Sequence, residues 1–247
     1  MALIYKASSK INLILHPFAA VKFLNGDKSD LHEKIILKSA KRLLKNNFDA
    51  KRWLQALDEI KREDYIAANK RNNRIVGNNI NTMLGKWLYC SVRALDPECI
   101  IETGIAHGNS SMVILNAIHK NGKGKLYSLD LPNNDTNSAY NIGEESSETG
   151  WMVPELLEQY WTKVIGDSKK TLPELLDNLK NIDYFFHDSD HSYEHMTFEF
   201  NTIYPFLDKG GIVSSDDINK NESFQDFVAA NKLNTILFTK GGSAIKS

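Results

Sequence analysis

The side chains able to do chemistry fall where apolar runs end. Ile100–Ile101 leads into Glu102, Leu126–Leu129 into Asp130, and Thr162–Ile165 into Asp167 and Ser168. Ile182–Phe186 leads into His187, Asp188, Ser189, Asp190 and His191, and Ile212–Ser215 into Asp216 and Asp217. A carboxylate only accepts hydrogen bonds, so it suits a sugar diol, a hard cation or a protonated neighbour. One acid at a loop is ordinary. A succession of acids on one edge repels itself unless a cation or a protonated partner balances it.

The elements that position these groups follow from the spacing. The apolar run ending in Glu102 opens into a loop with Gly104 and Gly108, and a helix starts at Asn109 or Ser110. The next apolar run, LYSLDL, ends in Asp130, which makes a strand, a glycine turn, a crossover helix and a parallel strand. The G-x-G-x-x-G spacing of dinucleotide sites is missing, because Ile105, Ala106 and His107 separate the two glycines. A cofactor with a ribose and no phosphate fits better, with the Asp130 carboxylate on the ribose hydroxyls. S-adenosylmethionine (SAM) is such a molecule.

Beyond this unit the strands and helices keep alternating, which predicts an α/β, doubly wound, mostly parallel sheet. Helices are expected at 153–160, 172–179, 193–207 and 223–230, with Lys209-Gly210-Gly211 as a turn before the fifth strand. The polar stretch Pro132–Gly150 lies past the carboxyl end of a strand and reads as a lid. Ahead of the sheet, a helix capped by Asp30, a second after Asp49 and a third from about Ile75 to Leu95, closed by Pro97, form a helical extension and cap. The division is 1–79 for this extension and 80–247 for the sheet domain.

Composition narrows the function classes. The 247 residues are 42% hydrophobic and 25% charged, with net charge −1 and pI near 6.7. There is no basic footprint for nucleic acid, and small-molecule partners gain weight. Cys90 and Cys99 are too few for a disulfide framework. The apolar N-terminal stretch is broken by Lys10, Asn12, His16, Pro17 and Lys22, so neither a signal peptide nor a transmembrane segment is expected. The expected location is cytoplasmic, and a homo-oligomer is compatible with the chain.

The ordered set IETGIAHGNSS, LYSLDLP, GWMVPELL with VIGDS, IDYFFHDSDHSYE and GGIVSSDDI resembles the class I SAM-dependent methyltransferases. Within these it is most similar to the group of macrolide-sugar O-methyltransferases and cephalosporin-tailoring enzymes. The resemblance spans roughly residues 80 to 245 and implies a Rossmann-like, seven-stranded methyltransferase sheet. It implies a cofactor site of Glu102, Gly104, Gly108, Ser110, Asp130, Asp167, Ser168 and Asp188. Asp130 would hold the ribose, and Asp167 with Ser168 would meet the adenine edge. In metal-dependent members the acids ending the fourth and fifth strands bind Mg²⁺, which here would be Asp188, Asp216 and Asp217. A D-x-x-H pattern, Asp188 to His191, would supply the base. Asp190 adds a competing carboxylate, and His187 has no counterpart role.

The implied activity is O-methyl transfer to a small molecule or sugar. A hard cation lowers the pKa of an acceptor hydroxyl, and an imidazole removes its proton. Three alternatives remain at this stage: a metal-free enzyme with His191 working alone, a nicotinamide-dependent oxidoreductase, and a catalytically silent SAM-binding subunit.

Overall fold

The computed structural model describes residues 28–61, 80–132 and 148–247. The N-terminal segment before residue 28, the first part of the expected third helix and most of the expected lid lie outside these residues. The elements are α1 (Lys28–Leu44), α2 (Ala50–Lys61), α3 (Met83–Leu95), β1 (Cys99–Thr103), α4 (Asn109–Asn121) and β2 (Lys125–Asp130). Then come α5 (Glu155–Glu158), β3 (Trp161–Ile165), α6 (Ser168–Leu179), β4 (Ile182–His187), α7 (Tyr193–Ile203) and β5 (Leu207–Ser215). The chain closes with α8 (Ser223–Ala230), β6 (Asn234–Leu237) and β7 (Gly242–Ile245).

The seven strands form one sheet in the order β3-β2-β1-β4-β5-β7-β6. β1 to β5 run parallel, and β7 is antiparallel between β5 and β6. The order reverses between β1 and β4, where the chain steps first to one side and then to the other. That switch point opens a crevice at the carboxyl ends of the strands, where ligands of such sheets bind. The expected doubly wound fold is the observed one.

Several boundaries differ from the sequence reading, each for a local reason. Asp30 falls inside α1 rather than capping it. α3 starts at Met83 because Thr82 has extended backbone and its hydroxyl accepts from Gly85 N at 2.9 Å. It ends at Leu95, where Asp96 turns left-handed ahead of Pro97. α6 begins earlier than the leucine spacing indicated, since Asp167 caps it through Lys169 N at 3.0 Å. α5 is one turn rather than a helix over 153–160. α7 stops at Ile203, and the expected turn at Lys209–Gly211 lies inside β5. Gly210 N donates to Lys246 O and Lys246 N donates to Gly211 O, so the chain end supplies ladder bonds there.

The described N-terminal helices pack against the sheet domain. α1 and α2 pack on α3, and α1 also packs on β6 and β7. Trp53 of α2 stacks near Trp87 of α3 at 5.1 Å, and Trp87 near Phe238 at 5.5 Å. One continuous apolar cluster joins Ile36, Trp53 and Leu57 to Trp87, Ile236 and Ile245. Arg93 clamps Glu59 through two nitrogens at 2.6 and 2.7 Å, and Tyr89 adds a hydroxyl at 2.9 Å.

Candidate functional site

The glycine loop after β1 is held from two sides. Gly104 has φ +89°, and a Cβ there would stand 2.1 Å from the Asp188 carbonyl oxygen, so only glycine lets the β1 and β4 loops meet. Asp130, at the tip of β2, accepts from Ile105 N at 2.8 Å and Ala106 N at 2.7 Å on one oxygen, and from Leu131 N at 2.8 Å on the other. Ala106 adopts φ +46°, a conformation disfavoured for a residue with a Cβ. A carboxylate offers about four acceptor positions, so a half-buried Asp130 keeps capacity for a hydroxyl. Gly108, also at positive φ, opens α4. The segment ahead of α5 is stitched to this loop by Gly150 N to Ala106 O at 2.8 Å and Met152 N to His107 O at 3.1 Å.

Glu102 and Ser110 were expected on the cofactor, and the structure places them inside the protein. Glu102 is fully buried, and its oxygens accept from Ser110 at 2.6 Å, Ser111 at 2.5 Å and Ser128 at 2.7 Å. Burial raises its pKa, against the pull of the three hydroxyls. Its work is to tie β1 and β2 to the first turn of α4. Ser168 is likewise turned inward, donating to Glu199 at 2.7 Å. Asp167 remains at the surface as the cap of α6.

Sequence reasoning missed a second buried carboxylate, Glu199 of α7. It accepts from Thr103 at 2.6 Å, His187 Nδ1 at 2.7 Å, Ser189 at 3.0 Å and His195 Nε2 at 2.8 Å, besides Ser168. Burial alone would raise its pKa, but the bonds from His187 and His195 outweigh this and hold it far below the usual carboxylate range. For His195, burial lowers the pKa, and the bond to Glu199 more than reverses that, so the net shift is upward. The only advance signal was the i, i+4 spacing of His195 and Glu199.

His191 stands beside Asp188, Nε2 to Oδ1 at 3.7 Å, too long for a hydrogen bond. Its Nε2 is shielded from water and has no hydrogen-bond partner. Its ring lies edge-to-face on His187, centroids 5.3 Å apart. Burial, then the nearby His187, lowers its pKa, against the opposing pull of Asp217 and Asp216. The imidazole is therefore neutral at neutral pH, with a lone pair available. Asn221 fixes its backbone through the His191 carbonyl at 2.9 Å.

The three acids proposed for a cation occupy adjoining strand ends but do not assemble. The register pairs His187 with Ser215, so Asp188 and Asp216 follow neighbouring positions. Asp217, at φ +45°, turns to Lys220 at 3.5 Å. Among the described residues, no group of three or more His, Cys, Asp or Glu side chains could hold a metal ion. No chemical step is routed through Mg²⁺.

The sheet order, the glycine loop after β1 and the acid at the tip of β2 define the Rossmann-like methyltransferase fold. Comparison with known proteins agrees. Residues 101–218 match the family model described as "Methyltransferase domain". These residues carry a methyltransferase domain, set on a sheet with the Rossmann-like methyltransferase topology. An O-methyltransferase from Bacillus cereus in complex with SAH is 13% identical with TM-score 0.51, covering 81% of this chain and 92% of its own. The O-methyltransferase TomG from Streptomyces achromogenes, involved in tomaymycin synthesis and in complex with SAM, is 15% identical with TM-score 0.51, covering 66% and 80%. The calicheamicin methyltransferase CalS11 is 15% identical with TM-score 0.50, covering 98% and 99%. At such identities the likeness is one of fold. No curated protein matches the sequence. The methyltransferase match argues against the nicotinamide alternative.

Proposed function

We propose that the protein transfers a methyl group to a hydroxyl oxygen of a small molecule or sugar, with His191 as the general base. The observation that carries this reading is the buried, unpartnered Nε2 of a neutral imidazole at the carboxyl edge of β4. A buried polar atom without a partner calls for an explanation, and an acceptor hydroxyl supplies one. Asp130 and the loop from Gly104 to Gly108 hold the ribose side of SAM, and Asp167 lies toward the adenine side. When bound, SAM supplies an electrophilic methyl on a sulfonium. The work of this chain is to align the acceptor oxygen in line with that methyl and to take its proton at His191.

The acceptor class is supported by the company the fold keeps, a tomaymycin-synthesis O-methyltransferase and a calicheamicin methyltransferase among it. A cytoplasmic setting goes with this reading, since both cysteines are free thiols. No described helix is long and apolar enough to cross a membrane. Metal assistance is a second reading, supported by the register that makes Asp188 and Asp216 neighbours. It requires Asp217 to leave Lys220.

The test is a transfer assay with methyl-labelled SAM against a panel of phenols, vicinal diols and nucleotide-linked sugars, with Mg²⁺ or with EDTA. Base catalysis predicts that His191→Ala loses roughly 10²–10⁴-fold in turnover while SAH still binds. Transfer abolished by EDTA would favour the metal reading. Full transfer by His191→Ala would remove His191 from the mechanism.

A further inference from the structure

We propose that Glu199 is the positioning residue of the transfer site, a buried carboxylate that fixes the loop bearing Asp188 and His191 against the end of β1. The inference rests on the reading of His191 as base. Glu199 receives hydrogen bonds from five positions: Thr103 closing β1, Ser168 opening α6, His187 closing β4, Ser189 in the following loop, and His195 in α7. Thr103 immediately precedes Gly104, whose missing Cβ lets the Asp188 carbonyl approach. Ser189 and His187 flank Asp188 itself. The carboxylate thus braces the side chains at these two strand ends, beside the backbone bond from Asp188 N to Thr103 O at 2.8 Å.

Chemistry explains why the group is an acid. An ionised carboxylate only accepts, so each of these side chains must turn a hydrogen toward it, and His187 carries its hydrogen on Nδ1. That choice fixes the ring plane of His187, which supports His191 edge-to-face with an interplanar angle of 86°. Glu199 does not touch His191, and it acts on the base through His187 and the loop. Burying a charge is costly even when it is paired, and removing the carboxylate alone would leave its five donors without their acceptor. The near-isosteric Glu199→Gln brings an N–H₂ into a ring of donors, so the network must rearrange with little change in volume.

The experiment compares wild type with Glu199→Gln by three measurements. Histidine-selective ¹⁵N NMR at about pH 7.5 reads the His187 Nδ1–H and the His191 ring. Calorimetry with SAH reads the cofactor site. Turnover is measured with the best acceptor from the panel above. The expected result is loss of the His187 Nδ1–H signal, displaced His191 resonances, SAH affinity within about threefold, and kcat down at least about 10-fold in folded protein. If Glu199→Gln does not fold, Ser189→Ala, which removes one donor from the loop, should displace the His191 resonances and lower kcat by a smaller factor. Unchanged His191 resonances and unchanged kcat in a folded variant overturn the proposal. Should His191→Ala keep full activity while Glu199→Gln still moves the ring, the base assignment fails and the positioning of the loop stands.

Discussion

Removing the Asp130 carboxylate tests the cofactor side of the site, and its effect can be worked from the geometry. Asp130 receives backbone N–H bonds from Ile105, Ala106 and Leu131, all at 2.7–2.8 Å. A hydrogen bond to a charged group contributes about 1.5–3 kcal/mol when shielded, and less here because Asp130 is only partly buried and water can replace it. Ala106 at φ +46° opposes the observed loop by roughly 1–2 kcal/mol, so without Asp130 the loop relaxes away from it. Loss of the ribose contact and loss of the loop together should weaken SAH by about 1–3 kcal/mol, or roughly 5–150-fold in Kd. The fold should survive, because the residue sits at a strand tip.

The assay is calorimetry with SAH on Asp130→Ala, alongside thermal unfolding to establish that the variant is folded. Adding Ala106→Gly to Asp130→Ala separates the two contributions, since glycine takes positive φ without strain. Partial recovery of affinity in the double variant would assign that part to the loop. Wild-type SAH affinity in a folded Asp130→Ala protein would refute the argument for both parts.

Two further outcomes follow from packing and charge. Because the pKa of His191 is lowered in the fold, turnover limited by the neutral base should persist below the ordinary imidazole value of about 6.5 and fall only as pH drops through the lowered value. The same shift adds stability above about 6.5 that is lost through that lower window, and His191→Ala should flatten both a pH–rate profile and a stability profile there. Trp53→Ala should cost about 3–5 kcal/mol in denaturant unfolding, because Trp53 is 1% exposed and packs against Trp87. A second unfolding transition with the sheet unaffected would instead make the N-terminal helices a separate unit.

The parallel sheet was legible because its strands are short apolar runs punctuated by glycine, acid or proline, and because helical spacing separates them. Gly104 and Gly108 marked the loop correctly, since a close approach leaves no other residue a place. The parts that could not be read depend on contacts remote in sequence. β5 runs through Lys209-Gly210-Gly211 only because Lys246, from the end of the chain, supplies bonds to Gly210 and Gly211. α1 and α2 look like an amphipathic pair that could cover anything, and the Trp53–Trp87–Phe238 stack that seats them on the sheet layer joins three distant segments.

The acids show the same division more sharply, because one residue type at one kind of place does different work. Glu102 and Asp130 both end parallel strands beside the glycine loop, yet Glu102 is sealed under three serines while Asp130 stays half open. Each accepts three hydrogen bonds, so the difference lies in burial: Glu102 is closed off from solvent under its serines, whereas Asp130 keeps an open side for a hydroxyl. Glu199 lies on a helix face, where a charge reads as solvated, and is the more deeply engaged of all. A strand-end carboxylate therefore becomes a ligand-binding candidate only where a free acceptor position also faces the crevice. Glu102 and Asp130 both keep about one acceptor position, but only that of Asp130 is open to a ligand, and His191 presents a shielded nitrogen without a hydrogen-bond partner.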